Sequence, residues 1–345
     1  MREFGVQLLR IGPNAGAHRV ALRCAVSVGI PMLVLLATGR LDLLGAAAFG
    51  AFAAVFGRDL APVARLRVQA ITGAGLTAAV TVGLAAAHLP LRPWSSTLVV
   101  VLVAVAATVL GNVVRWKPAG PLFFVFASGA FASGPALGGW ASALVVAVTA
   151  GTASFAVLVG MAGAVVRGRG RLRGGPRQAP WHGTWRDAAG GGVLVDVVVA
   201  SSLAGAVAIG LGLHHVYWAV LSAVVPASVS LRGPWLVRGT LRVVGTAAGL
   251  VVAAALLMLQ LPGWALVPVA LGLQLGTEMF VQRNYGVAML FITPLALLIG
   301  NAARPGPMGE LLSDRFWGTA VGIGIGLAVL GVRALSVRAD QTVLS

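Results

Sequence analysis

Acidic residues are nearly missing from this chain. Nine Asp and Glu stand against 25 Lys and Arg, and only 10% of the residues are charged. A water-soluble domain carries about 25% charged residues, so the composition excludes that class. A single cysteine, Cys24, excludes a disulfide within the chain and leaves no basis for a cysteine-built metal site. There is no Gly-x-x-x-x-Gly-Lys-Ser/Thr, hence no ATP motor in this chain, and the GIGIG of 322–326 sits inside an apolar run after no strand, which removes a dinucleotide site. His214 and His215 are adjacent, and neighbours in sequence rarely share a metal without further ligands. No metal, no cofactor and no catalytic constellation is read, so the chain is not expected to be an enzyme.

What is abundant is apolar surface: 58% hydrophobic residues and a mean hydropathy of +0.93. Twelve apolar segments can be marked, at 20–38, 41–56, 68–88, 97–114, 121–137, 142–166, 191–212, 216–231, 243–260, 262–280, 285–300 and 316–335. The expected fold class is an all-α polytopic membrane protein with about twelve transmembrane helices. The second, fifth, eighth and eleventh segments are short for a straight span, and broken, tilted or re-entrant helices are expected there. The basic N-terminus followed by an apolar run resembles a signal peptide, but further long apolar segments follow, so a retained first helix is expected.

The basic residues set the orientation. With the N-terminus inside, 21 of the 25 fall on inner segments, and only Arg40, Arg92, Arg304 and Arg315 fall outside. That alternation predicts a multi-pass cell-membrane protein with both termini cytoplasmic. It also accounts for the formal net charge of +16 without nucleic acid. The polar stretch 167–190, RGRGRLRGGPRQAPWHGTWRDAAG, reads as a cytoplasmic linker close to anionic lipid. The expected organisation is a tail (1–19), a first six-helix half (20–166), the linker (167–190), a second six-helix half (191–335) and a tail (336–345).

The two halves look alike. At an offset of 173, ALR (21–23) meets LVD (194–196), Gly39 meets Gly212 and Arg65 meets Arg238; at 165, Gly111 meets Gly276 and Ser128 meets Thr293; at 167, GTA recurs at 151–153 and 318–320. Six helices per half make this a parallel repeat about an axis along the membrane normal. Arg242–Gly249, RVVGTAAG, returns at Arg315–Gly322 as RFWGTAVG. Offsets of 0, 3, 4 and 7 share one helix face, so Arg242, Gly245, Thr246 and Gly249 form one stripe, and Arg315, Gly318, Thr319 and Gly322 another. One helix starts inside and the other outside, as an inverted three-plus-three repeat nested in each half would require. Each arginine is expected at a helix start, where free N–H groups and the helix dipole add to its charge in an anion site. The plainer reading is that such arginines anchor and such glycines pack helices. The first half has Gln69 and Val148 in the arginine positions.

HVYWAVLSAVV (215–225), RGTLRVVGTAAG (238–249), YGVAMLFITP (285–294) and RFWGTAVGIGIG (315–326) together resemble the fusaric-acid-resistance type of aromatic acid exporter. The resemblance is clearest over about 190–335. It implies export of aromatic carboxylic acids and related toxic organic anions across the cytoplasmic membrane. Larger members carry a soluble domain between the halves, where this chain has only the linker. The helical layout is also similar, more distantly, to plant malate channels. The alternatives are a major-facilitator-type secondary transporter, for which GRDLAPVARLR (57–67) is only a loose echo of the usual loop signature, and a passive anion channel or a structural membrane protein without transport. The partners expected are a small organic anion and the lipid bilayer; a homo-oligomer stays open.

The candidate pathway residues are Arg242, Thr246, Arg315, Thr319, Tyr217, Trp218 and Thr293. Tyr217 and Trp218 begin the eighth segment, either as interfacial anchors or as stacking groups for an aromatic substrate. Pro294, after Thr293, predicts a break in the eleventh. Asp196 lies inside an apolar run and costs about 2.5–3.5 kcal/mol unpaired. Its repeat mate is Arg23, so the two either pair across the axis or Asp196 reaches the inner interface and Arg186. Glu278 either carries a coupling proton or pairs with Arg283. The topology is checked by introducing cysteines into 167–190 of Cys24→Ala protein. They are expected to react with an impermeant thiol reagent only after the membrane is opened, and labelling of intact cells would refute the inside placement.

Overall fold

A computed structural model describes residues 11–12, 17–58, 60–166, 192–228 and 235–343. The linker 167–190 and Arg186 lie outside the described residues, as does most of the N-terminal tail. Among the described residues there are twelve α-helices and no strand. They are α1 (Ala17–Ala37), α2 (Leu44–Ala51), α3 (Pro62–Ala86), α4 (Trp94–Val114), α5 (Leu122–Ala132), α6 (Gly139–Val166), α7 (Val193–Gly210), α8 (Tyr217–Ala227), α9 (Trp235–Met258), α10 (Gly263–Phe280), α11 (Tyr285–Ala303) and α12 (Met308–Val343). Seven of them, α3, α4, α6, α7, α9, α11 and α12, are long and apolar enough to cross a membrane. Gln274, Thr277 and Glu278 interrupt the apolar run of α10.

Each apolar segment of the sequence becomes one helix, because a chain in hydrocarbon must satisfy its own N–H and C=O groups. Local signals place the ends. Pro62 opens α3 at a position where its missing N–H costs nothing, and the Asn284 side chain accepts from Val287 N at 3.1 Å to start α11. Helices α2, α5 and α8 are short, as expected; 3₁₀ turns at Leu41–Leu43 and Phe52–Val55 extend α2. The expected break in the eleventh segment does not occur. Helix α11 runs unbroken for 19 residues through Pro294, since losing one donor is tolerated where the neighbouring turns keep their bonds.

Packing follows a regular scheme. Within the first half α2 lies on α6 and α5 on α3; within the second α8 lies on α12 and α11 on α9. Across the halves α1 packs on α10 and α7 on α4, while the middle helices meet as α2 with α11 and α5 with α8. Small residues permit these approaches. A Cβ on Gly245 would come 2.5 Å from the Gly286 carbonyl of α11, and one on Gly322 would come 2.2 Å from the Ala219 carbonyl of α8. Both glycine stripes are therefore helix-packing faces.

Two ion pairs differ from the sequence expectation. Asp196 in the first turn of α7 pairs with Arg333 of α12, not with Arg23. Gly192, in the left-handed region at φ +74°, caps α7, and a Cβ there would meet the Arg333 guanidinium at 2.9 Å. The α7–α12 contact brings Arg333 to Asp196, whereas Arg23 on α1 faces α10. Glu278 lies against Arg58 at 3.5 Å, not against Arg283. Arg283 instead donates from Nε to the Gly12 carbonyl at 2.9 Å and sits over Phe280.

The glycine faces give a paired test. Gly322→Ala is expected to lower the stability of the detergent-purified protein by about 1–3 kcal/mol through overpacking. Gly324→Ala, with nothing within 4 Å of its Cβ, is expected to change it little. Equal melting temperatures for the two variants would refute this account of the α8–α12 contact.

Candidate functional site

Between the two halves lies a cavity of about 740 Å³. Its wall is built from α1, α2, α5 and the turn after α2 on one side, and from α8 to α12 on the other. The two sides differ chemically. Phe49, Phe52, Phe123, Phe126 and Phe131 give the first half an aromatic face. The second half contributes Arg238, Arg242 and Arg315, together with Tyr217, Trp218 and Tyr285.

Arg242 is the eighth residue of α9 and Arg315 the eighth of α12. Neither is at a helix start. The polar turns WLVRGTL and MGELLSD carry each helix two turns beyond its apolar run, so the arginines sit about 10 Å inside their helices. The helix N-termini therefore contribute nothing to a site at these arginines, which corrects the sequence expectation. The side chains are buried instead: Arg315 is 1% exposed and Arg242 is 3% exposed. The Arg315 guanidinium lies 4.0 Å from the centre of the Trp218 ring, and its Nε and Nη1 have no hydrogen-bond partner among the described residues. Arg242 donates from Nη1 to the Tyr285 hydroxyl at 2.6 Å and from Nε to the Ser222 hydroxyl at 3.4 Å. Trp218 and Ser222 are one turn apart on α8, so this short helix presents one face to both guanidiniums, and the two cations are close enough to act on each other.

No carboxylate balances them. Among the described residues neither Arg242 nor Arg315 has an ion-pair partner. Asp314, the residue before Arg315, turns away and accepts from His215 N at 2.9 Å, with His215 Nδ1 at 2.7 Å. That contact pins the segment leading into α8 and so keeps Trp218 under Arg315. Two other arginines serve the short helix α5: Arg92 donates to the Ala132 carbonyl at 2.9 Å and Arg304 to the Ala130 carbonyl at 3.1 Å. Cations at a helix C-terminus satisfy its free carbonyls and oppose its dipole.

Tyr217 and Trp218 are buried, so neither is an interfacial anchor. They continue the aromatic face of the first half: Phe126 lies 5.0 Å from Trp218 and 6.2 Å from Tyr217 between ring centres. Tyr217 and Ser133 also line a second cavity of about 520 Å³ with Arg92, Ser96 and His214. The three threonines do not line the central cavity. Thr319 donates to the Arg315 carbonyl of its own helix at 2.8 Å. Thr246 is buried one turn beyond Arg242, and Thr293 is buried where α11 meets Gly249 of α9. Glu278 lines the cavity; Arg23 and Asp196 do not. Sequence reasoning missed Tyr285 and the phenylalanine face. The signal for the latter was the run LFFVFASGAF at 122–131, which reads equally as core.

Residues 200–329 match the model of a family described as fusaric acid resistance protein-like. No curated protein and no solved structure matches the chain.

A buried cation with no acidic partner is a cost to the folded protein unless a ligand or water meets it. Arg315→Met is therefore expected to raise the thermal stability of the ligand-free protein in detergent, by about 1–3 kcal/mol. A lower melting temperature would make Arg315 a structural group and remove the case for an anion at this position.

Proposed function

We propose, for a chain whose residues 200–329 fall in the fusaric acid resistance protein-like family, that it is a membrane transporter exporting organic anions with an aromatic or apolar body from the cytoplasm. The observation that carries this reading is the two-sided cavity. Arg315 and Arg242 lie without carboxylate partners on one wall and five phenylalanines line the other. A carboxylate meeting the guanidiniums would form charge-assisted hydrogen bonds, and Arg315 has donors without a protein partner among the described residues. An aromatic body would lie against Phe126, Trp218 and Tyr217, at modest cost because rings of this kind stack in offset or edge-on arrangements.

Transport requires that the cavity open to each side in turn. The packing scheme supports an arrangement of two parallel six-helix repeats, each made of two inverted three-helix units, because every middle helix lies on the third helix of the other unit in its half. Both termini and the linker are placed in the cytoplasm by the basic residues, in the cell membrane. Arg242 then faces the inner side and Arg315 the outer side of one pathway, and Tyr217 stands between the central cavity and the outer one of about 520 Å³. Thr246, Thr293 and Thr319 act through helix packing at the pathway's rear wall.

Uptake of benzoate into inverted vesicles tests the reading. Arg242→Lys and Arg315→Lys keep the charge but lose the planar fork. Each is expected to lower uptake about tenfold, the equivalent of ~1.4 kcal/mol. The exposed Arg67→Lys is expected to match the wild type. If both cavity variants equal the Arg67 control at equal expression, the arginines are helix anchors and the cavity is not the pathway.

A further inference from the structure

A second polar cluster lies on the α10 wall of the cavity, apart from the Arg242–Arg315 face. Gln274, Thr277 and Glu278 share one face of the helix at i, i+3 and i+4, and all three line the cavity. Glu278 is 3% exposed and Thr277 is 9% exposed. The other acid in the cavity lining, Asp42, is taken by Arg40 at 2.8 Å. Glu278 is held loosely: Gln274 Nε2 is 3.4 Å from its Oε1, and Arg58 Nη2 is 3.5 Å from its Oε2, which accepts no hydrogen bond. Thr277 Oγ1 also has no partner. Behind Glu278, on α1, the charge of Arg23 acts on it, and Arg23 Nε and Nη2 are buried without partners. The Cys24 thiol is the other titratable group near it from α1. Tyr285 of α11 is engaged by Arg242 instead.

One carboxylate thus stands between two guanidiniums, with unused donors and acceptors on both sides. We propose that Arg58, Thr277 and Glu278 form a second anion subsite, which an anion occupies together with one proton on the Glu278 carboxyl. This rests on the reading of the cavity as an organic-anion pathway. The exchange balances: a proton taken from the bulk solution, released there by the buffer acid, goes to Glu278 Oε2, its charge goes from −1 to 0, and an incoming anion brings −1 in its place. The net charge of the cluster, with Arg23 and Arg58, is +1 before and after. Trading one buried negative charge for another avoids leaving the two cations unmet. The carboxyl changes from acceptor only to a donor, and Arg58 and the Thr277 hydroxyl are then free to donate to the anion's oxygens. Anion binding is linked to proton uptake, and by reciprocity anion release is linked to loss of the proton.

Benzenesulfonate, which stays anionic throughout, is the probe. Binding is measured calorimetrically on the full chain in nanodiscs, in buffers of differing ionisation heat, between about pH 6 and 8. Arg315→Met protein isolates the subsite from the Arg315 face. It is expected to take up close to one proton per anion, with affinity rising about tenfold for each unit the pH falls. Arg315→Met/Glu278→Gln is expected to bind without proton uptake and with no pH dependence. Arg315→Met/Arg58→Gln is expected to lose at least tenfold at the low end of the range, which keeps a test in hand should the Glu278 variant fail to fold. Binding to Arg315→Met that ignores pH overturns the subsite. So does proton uptake that survives Glu278→Gln, which would move the proton elsewhere, for instance to His215 on the cavity wall. If the wild type binds and Arg315→Met does not, the subsite falls while the anion pathway stands. If neither binds at any pH, the pathway reading falls with it.

Discussion

The Arg315 guanidinium held over Trp218 is the contact on which the second half of the protein depends. A cation this deeply buried costs several kcal/mol unless something replaces its water. The indole face returns about 2 kcal/mol when the contact is desolvated, which lessens the cost without cancelling it. For the contact to exist, α8 must be short and must press directly on α12. Gly318, Gly322 and Gly326 make that approach possible: a Cβ at any of them would come within 2.7 Å of α8 atoms. Asp314 must also be kept from neutralising its neighbour, and the bond to His215 does this. The remaining charge is directed into the cavity.

The cavity is a composite that neither half could supply alone. The first half provides five phenylalanine rings together with Arg58 and Lys117, and the second provides Arg238, Arg242, Arg304 and Arg315 and the two rings that touch those of the first. The joint is the crossing of α5 and α8, where Gly129 lets Tyr217 lie against the α5 backbone; a Cβ there would come 2.4 Å from Tyr217 Cβ. Arg92 and Arg304 hold the carbonyl end of α5 at this crossing. The proposed substrate class follows from this wall, since the charged and apolar ends of an amphipathic anion would meet the matching surfaces in a single orientation.

Much of this was legible in sequence. The apolar runs located all twelve helices, since hydrophobic length is what the bilayer selects. The repeated Arg-x-x-Gly-Thr stripe identified Arg242 and Arg315, two of the five arginines that line the cavity, and the aromatic pair opening the eighth segment identified Tyr217 and Trp218. What escaped has physical causes. The true starts of α9 and α12 lie in polar turns that hydropathy does not register, so Arg242 and Arg315 read as helix-end residues when they are two turns inside. Repeat equivalence suggested Arg23 for Asp196, but equal depth does not fix azimuth, and the α7–α12 contact places Arg333 there. Pro294 signals a break only where the lost bond cannot be tolerated, and α11 tolerates it. The phenylalanines on the aromatic wall were invisible as a site because a ring facing a cavity and a ring facing a core have the same hydropathy.

The sequence correspondence between the two halves marks where they diverge in charge. At an offset of 173, Gln69 stands in the first half where Arg242 stands in the second. Gln69 is fully buried and does not line the cavity; its Nε2 lies 3.3 Å from the Ala54 carbonyl and 3.2 Å from that of Phe56, at the end of the turn that follows α2. A neutral amide can close a helix end there without needing a counter-ion. An arginine in the same place would bring a charge that the apolar first half has nothing to meet. In the second half the corresponding donors reach the buried Ser222 and the cavity-lining Tyr285 and keep their charge. The first half thereby carries a neutral amide at this position, whereas the second carries there a buried cation with no ion-pair partner among the described residues.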